Sequence, residues 1–157
     1  MSRLHLFAAS LLACASPALA DEVSVANGSR IAIISGCHDC HTAGYAESGG
    51  KLDAAVALTG SPVGFQGPWG TTYPANLRIT VSKMGEADFV DYAHNLQTRP
   101  PMPWFNLHAW TDAEARSFYQ YVKSLGEPGA PAPAYVAPGG APKTPYIVFA
   151  PPQMPAQ

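Results

Sequence analysis

Apolar residues recur at helical spacing in several parts of the chain, and no segment shows the strict alternation typical of a strand. The clearest helical pattern runs from Thr111 to Leu125, and one face of it carries Ala115, Phe118, Tyr121, Val122 and Leu125. Thr111 and Glu114 have the spacing of a capping box, and Gly126 follows as a stop. The pattern therefore predicts a well-bounded helix that ends at Gly126.

Two shorter helices are predicted upstream, together with one helical turn. Residues 23–35 form the first, with a narrow face of Gly28, Ile31, Ala32 and Ser35. Residues 86–96 form the second, with an inward face of Phe89, Val90, Ala93 and Leu96. With a helical turn at residues 37–41, these segments predict an all-α domain.

The remaining segments are rich in loop-forming residues. Residues 42–82 hold many Gly, Pro, Ser and Thr, and so long a loop is unusual in a compact domain unless it wraps around something. Arg99-Pro100-Pro101-Met102-Pro103 cannot be helical, because proline removes donors and restricts the residue before it. Residues 127–157 hold nine of the sixteen prolines.

We expect residues 127–157 to form an extended or polyproline-like C-terminal tail outside the helical domain of residues 21–126. The tail also contains Tyr135, Tyr146, Ile147 and Phe149, which are too apolar for a purely solvating linker. The tail is therefore predicted to lie along the domain or along a partner surface. Its removal is expected to weaken contact with a partner and to leave nearly undisturbed whatever the loop of residues 42–82 wraps around.

Composition narrows the class of protein. The 157 residues give room for one domain, and 16 Pro with 14 Gly favour long ordered loops. Only 13% of the residues are charged, the net charge is -2, and no run of Lys or Arg occurs. Nucleic-acid binding and binding to anionic membranes therefore have no electrostatic support.

Residues 1–20 read as a secretory signal peptide. Arg3 supplies positive charge, residues 4–15 are apolar, and Ala18-Leu19-Ala20 is an A-x-A cleavage site. The apolar run is too short to span a bilayer, and no later segment has the length to do so. A second interpretation is a lipoprotein signal in residues 11–14 with Cys14 acylated, although cleavage after Ala20 is favoured. Both interpretations predict export, and the favoured compartment is the periplasm.

Cys37-His38-Asp39-Cys40-His41 has the C-x-x-C-H spacing of covalent haem attachment. Residues i and i+3 lie on one side of a helical turn, so both thiols can reach the vinyl groups of one porphyrin edge. His41 then becomes the proximal iron ligand, and His38 is expected to be a spacer that points away from the ring. One motif predicts one haem.

Four other interpretations of this motif are weaker. A structural zinc site needs four ligands, and no second cysteine pair or H-x-x-x-H completes one. A thioredoxin-like dithiol would need a strand–helix–strand setting that the pattern lacks. A single disulfide or a chance match also remains open. Export and the wrapping loop favour haem.

Met102 is the best candidate for the second axial ligand. It lies between prolines that keep the chain extended, just before the last predicted helix. A His/Met pair raises the reduction potential and closes the iron to other ligands. Met84 is the rival, and His94 and His108 are weaker alternatives whose usual roles would be structural.

The order of these elements resembles class I cytochromes c over residues 22–126. The string from Gly67 to Leu77 looks like a loop of the cytochrome modules in periplasmic alcohol, aldehyde and sugar-acid dehydrogenases, and Met102-Pro103-Trp104 is similar to their Met segment. The resemblance implies the class I fold with its first and last helices crossing, where Gly28 and Ala32 would let Phe118 or Tyr121 approach. It also implies haem c on Cys37 and Cys40, ligands His41 and Met102, and five candidate haem contacts, which are Trp69, Tyr73, Asn76, Arg78 and Trp104.

The resemblance implies an electron carrier rather than an enzyme. We expect a periplasmic shuttle that takes electrons from a dehydrogenase and passes them to an oxidase or another cytochrome. Two alternatives stay open, namely a cytochrome subunit that remains bound to one dehydrogenase, and a haem enzyme or gas sensor with an open iron site.

Overall fold

The computed structural model describes residues 22–155. The predicted signal peptide at residues 1–20 and the alternative acylation of Cys14 lie outside these residues. Within residues 22–155, no helix combines the length and apolar character needed to cross a membrane.

Within the described residues, five α-helices and one 3-10 helix form the main body. The α-helices are α1 Val25–Ile34, α2 Cys37–His41, α3 Leu77–Ser82, α4 Glu86–Asn95 and α5 Asp112–Ser124, and the 3-10 helix is Trp104–Ala109. The predicted helices are confirmed as α1, α4 and α5, and the predicted turn is α2. The sequence pattern missed α3, which begins where the Asn76 side chain accepts a hydrogen bond from the Ile79 amide.

The capping box of α5 forms as its sequence predicts. The Thr111 hydroxyl accepts from the Glu114 amide at 3.2 Å, and the Glu114 carboxylate accepts from the Thr111 amide at 2.9 Å. Behind this start, Phe118 of α5 stacks on Phe89 of α4 with ring centroids 5.8 Å apart. The Arg116–Glu86 ion pair at 3.1 Å links the same two helices at their rim.

Helix α1 packs directly against α5, and Gly28 makes the close approach possible. A Cβ at Gly28 would lie 1.9 Å from the Ser117 carbonyl oxygen and 2.7 Å from the Tyr121 Cβ. No larger residue fits that space without moving the helices apart. The predicted contact between the small face of α1 and Tyr121 is therefore confirmed.

The prediction of a purely α-helical domain is wrong in one respect, because the chain also forms a small sheet. Strands β1 Gly64–Gly67, β2 Gly70–Thr72 and β3 Tyr146–Val148 lie in the order β2-β1-β3. The β1–β2 pair is antiparallel and the β1–β3 pair is parallel. Strands this short show no readable alternation, and β3 lies far along the chain from its partner.

The C-terminal tail, described from 127 to 155, crosses the domain along β2 and β1. The Asn76 amide donates to the carbonyl oxygens of Pro128 and Ala130, at 3.0 Å to Ala130. Thr71 and Val136 then exchange two backbone hydrogen bonds of 2.8 and 3.0 Å. Apart from β3 and the Val136 bridge, residues 127–155 of the tail have no regular secondary structure.

Candidate functional site

A cleft of about 290 Å³ opens between α2, α4 and the loops that face them. Its walls are mostly apolar and aromatic, and they include Phe65, Tyr73, Leu77, Val81, Phe89, Tyr92, Leu96, Leu107, Trp110 and Phe118. Cys37, Cys40, His41 and Met102 line the same cleft. The volume is close to the lower end of the range for sites that take an organic cofactor.

The turn between α1 and α2 places the two cysteines. Gly36 has φ of +67°, and this left-handed conformation ends α1 and allows α2 to start at once. Cys37 and Cys40 therefore lie three residues apart on one short helix, with both side chains at the cleft. This is the spacing that two thioether bonds to one porphyrin edge require.

Both thiols are held in their neutral form. Burial raises the pKa of Cys37 to about 12, and burial also raises the pKa of Cys40. A reactive dithiol needs the opposite shift, because the thiolate is the attacking species. Within residues 22–155 there is no cluster of three or more His, Cys, Asp or Glu side chains that could hold a metal ion.

His41 is fixed in one orientation and one tautomer. Its Nδ1 lies 2.7 Å from the Ala75 carbonyl oxygen, which can only accept, so Nδ1 carries the proton. Burial lowers the pKa of the imidazole, which keeps the ring neutral. The lone pair is therefore on Nε2, the state that an axial iron ligand needs, and the carbonyl supplies the outer hydrogen bond that metal-binding histidines usually have.

Met102 lies on the cleft wall in the segment of residues 97–103, here named the Met102 loop. Pro101 and Pro103 flank it and line the same wall. The Thr72 hydroxyl donates to the Pro100 carbonyl at 2.7 Å, which attaches the Met102 loop to β2. The side chain of Met102 is partly buried, so a thioether is available at the cleft.

The three rival ligands lie elsewhere, since none of them lines the cleft with Met102. Met84 packs against the helical core, and its carbonyl accepts from the Tyr119 hydroxyl at 3.2 Å. His94 and His108 bond backbone carbonyls through Nε2 at 3.0 and 2.9 Å. This placement supports Met102 over Met84.

Only one of the five candidate haem contacts lines the cleft. Tyr73 lines the cleft, whereas Trp69, Asn76, Arg78 and Trp104 do not. Trp69 packs on Phe149 of the tail, and Trp104 packs on Phe105 and His108. Asn76 instead caps α3 and binds the start of the tail.

Arg78, another of the candidate haem contacts, makes its hydrogen bonds away from the cleft. Its side chain is buried, and its guanidinium donates to the backbone carbonyls of Ala54, Ala57, Leu125 and Glu127. These bonds tie the long loop to the end of α5. The structure therefore gives Arg78 a structural role in joining distant segments.

His38 is also more than a spacer. Its side chain points away from the cleft as expected, but it is 0% exposed. Nδ1 lies 2.8 Å from the Thr42 hydroxyl, and Nε2 lies 3.4 Å from the Tyr121 hydroxyl. His38 thus fastens α2 to α5 behind the cysteines.

Several cleft residues were missed or assigned only to the helical core. Phe89 and Phe118 were placed inward by helical spacing, and that same signal marks one wall of the cleft. Pro133 and Tyr135 reach the cleft from the tail, which no local pattern indicates.

Comparison with known families gives the identity at the level of the family. The family profile described as Cytochrome c matches residues 25–126, so the chain belongs to the cytochrome c family. The class I cytochrome fold and covalent haem c on the cysteines follow from this membership. Comparison with curated proteins and with solved structures gave no significant match.

The cleft fits the haem that the family carries. Two neutral thiols lie on one helical turn, a neutral imidazole has its Nε2 lone pair, a thioether lies on the same cleft, and the walls are apolar. This donor set suits covalent haem c with nitrogen and sulfur ligation. The protein is therefore a haem-binding electron-transfer protein.

Proposed function

We propose that this chain is a periplasmic electron carrier with a single haem c, His41 and Met102 being its axial ligands. One observation supports this most strongly: Met102 lines the same cleft as Cys37, Cys40 and His41. A carrier needs both axial positions filled from the protein, because a filled sixth position excludes peroxide and gases.

Haem c, when bound, supplies a one-electron couple between ferric and ferrous iron. The protein residues set the conditions for that couple. Cys37 and Cys40 keep the cofactor attached, while the Ala75 carbonyl holds His41 in its ligating tautomer. The apolar walls exclude water, and a thioether from Met102 favours the ferrous state, so both raise the potential.

A dehydrogenase is the proposed donor, and an oxidase or another cytochrome is the proposed acceptor. The support is the likeness of the Gly67–Leu77 and Met102–Trp104 strings to cytochrome modules of periplasmic dehydrogenases. Export rests on the predicted signal peptide and its cleavage site at Ala18-Leu19-Ala20.

A second candidate is a cytochrome subunit that stays bound to one dehydrogenase. The tail favours this candidate, because its residues Tyr146, Ile147, Val148 and Phe149 are all exposed. A contiguous apolar row of this kind is more typical of a contact surface than of a free shuttle.

The test is expression of the full chain with a cytochrome c maturation system, followed by fractionation, mass spectrometry and visible spectra. We expect a periplasmic protein that begins at Asp21, carries one haem and shows the ferric Met–iron band at the red end of the spectrum. Co-purification with a dehydrogenase would favour the subunit over the shuttle. A wild-type protein that lacks the band and binds carbon monoxide readily would instead favour an open-site enzyme or sensor.

A further inference from the structure

The C-terminal tail contributes to the cleft at one point, the side chain of Tyr135. Tyr135 and Pro133 line the cleft, although both lie beyond residues 25–126, the part matched by the cytochrome c family. The helical domain alone therefore does not complete the wall that faces the Met102 loop.

Tyr135 is fixed on its β2 side. Its hydroxyl donates to the Trp69 carbonyl at 2.8 Å, and the neighbouring Val136 pairs with Thr71 through the backbone. Gly70, with φ of +95°, makes the space, because a Cβ there would lie 2.4 Å from the Val136 carbonyl oxygen and 3.0 Å from the Tyr135 ring. The tail therefore packs closely against Gly70 at this position.

On its other side, Tyr135 contacts the Met102 loop. The Arg99 guanidinium carbon lies 3.9 Å from the centroid of the Tyr135 ring, which is the geometry of a cation–π contact. Arg99 also lines the cleft, three residues before Met102. The loop is therefore held from two directions, by Thr72 of β2 at Pro100 and by Tyr135 of the tail at Arg99.

We propose that Tyr135 is a positioning residue for Met102: through Arg99 it keeps the Met102 loop closed over the cleft and slows release of the sulfur. The inference rests on the proposed ligation by Met102. It also replaces the expectation that the tail can be removed without disturbing the haem, because removal would take away the Arg99 contact.

The experiment measures how fast imidazole displaces methionine from the ferric, full-length, matured protein, at saturating imidazole where Met release limits the rate. Tyr135→Leu removes both contacts, and we expect a roughly tenfold faster displacement, equivalent to about 1.4 kcal/mol. Tyr135→Phe keeps the ring under Arg99 and loses only the hydroxyl, so a smaller increase of about threefold is expected.

Tyr146→Leu is the matched control. Tyr146 belongs to the same tail and is 44% exposed, against 39% for Tyr135, but it does not line the cleft. Its replacement should leave the displacement rate unchanged. A tail that acts only as a general cover would respond equally to both leucine variants, and that result would overturn the proposal.

A double-mutant cycle separates positioning from loss of stability. Arg99→Gln should accelerate displacement in the wild-type background and add little in the Tyr135→Leu background. Additive effects contradict the proposed coupling. If Tyr135→Leu fails to mature, Tyr135→Phe and Arg99→Gln are measured as single variants, and unchanged displacement rates in both overturn the inference. A wild-type protein without the Met–iron band overturns ligation by Met102 itself, which is a distinct result.

Discussion

The cleft wall is built differently at Cys37 to His41 and at Met102. On the side of Cys37 to His41, a short helix follows α1 directly, and a single 2.7 Å hydrogen bond to Ala75 sets the imidazole. At Met102, the cleft wall is a loop without a helix or strand, and this loop contacts Thr72 and the tail.

Because of this difference, substitutions near His41 and near Met102 should have different consequences. The His41 side rests on buried helices, and loosening it should cost stability of the whole fold. The Met102 side depends on a few contacts at half-exposed positions, and loosening it should change ligand release while the fold persists. Variants on the two sides should therefore differ in whether the stability of the fold or the release of the ligand changes.

The largest effect is expected at the α1–α5 contact behind the His41 side. Gly28→Ala would place a methyl group 1.9 Å from the Ser117 carbonyl oxygen, so the helices must separate. We expect a loss of about 3 kcal/mol in the free energy of unfolding, measured by urea titration. Gly85→Ala is the control, since its Cβ meets only the Asp88 carboxylate, at 3.3 Å, and an equal loss there would contradict the argument.

The next largest loss of stability is expected at His38, and Asp39, the other spacer residue of the haem motif, is the comparison. His38→Ala removes a fully buried ring and its contacts with Thr42 and Tyr121, and should cost about 2 kcal/mol in unfolding free energy. Asp39→Ala changes an exposed residue and should stay within about 0.5 kcal/mol. Similar losses in calorimetry of the two variants would mean that His38 is only a spacer.

The smallest effect is expected at the Met102 side. Thr72→Val removes the hydroxyl that donates to Pro100 and should weaken attachment of the Met102 loop by about 1 kcal/mol. The Met–iron band should then disappear at a lower temperature than in wild type, ahead of global unfolding. Thr59→Val removes a similar 2.8 Å bond to the Val56 carbonyl at a residue that does not line the cleft, and should leave the band unaffected. A shift of the same size in both variants would contradict a local role for Thr72.

The features that the sequence predicted are those that depend on residues close together in the chain. The haem motif, the capping box at Thr111 and the helical faces are local patterns, and each forms as expected. Met102 is the candidate second ligand because prolines on both sides exclude a helix; its side chain lines the cleft, and its ligation of iron stays a prediction. The close approach at Gly28 followed from its small size together with the helix crossing that the resemblance implies.

The features that the sequence did not predict depend on contacts between residues far apart in the chain. Strand β3 pairs with β1 about 80 positions away, and Asn76 binds carbonyls in the tail, which no periodicity reveals. Arg78 is a candidate haem contact in the sequence, but its guanidinium donates to backbone carbonyls of distant segments. Tyr135 reaches the cleft only because the tail folds back along β2.

The central claim, that His41 and Met102 fill both axial positions, is tested most directly by the spectrum of the matured ferric protein and two methionine variants. We predict that wild type and Met84→Ala show the Met–iron band and resist carbon monoxide in the ferrous state. Met102→Ala should lose the band, bind carbon monoxide and have a lower reduction potential. Loss of the band in Met84→Ala with its retention in Met102→Ala would contradict the account.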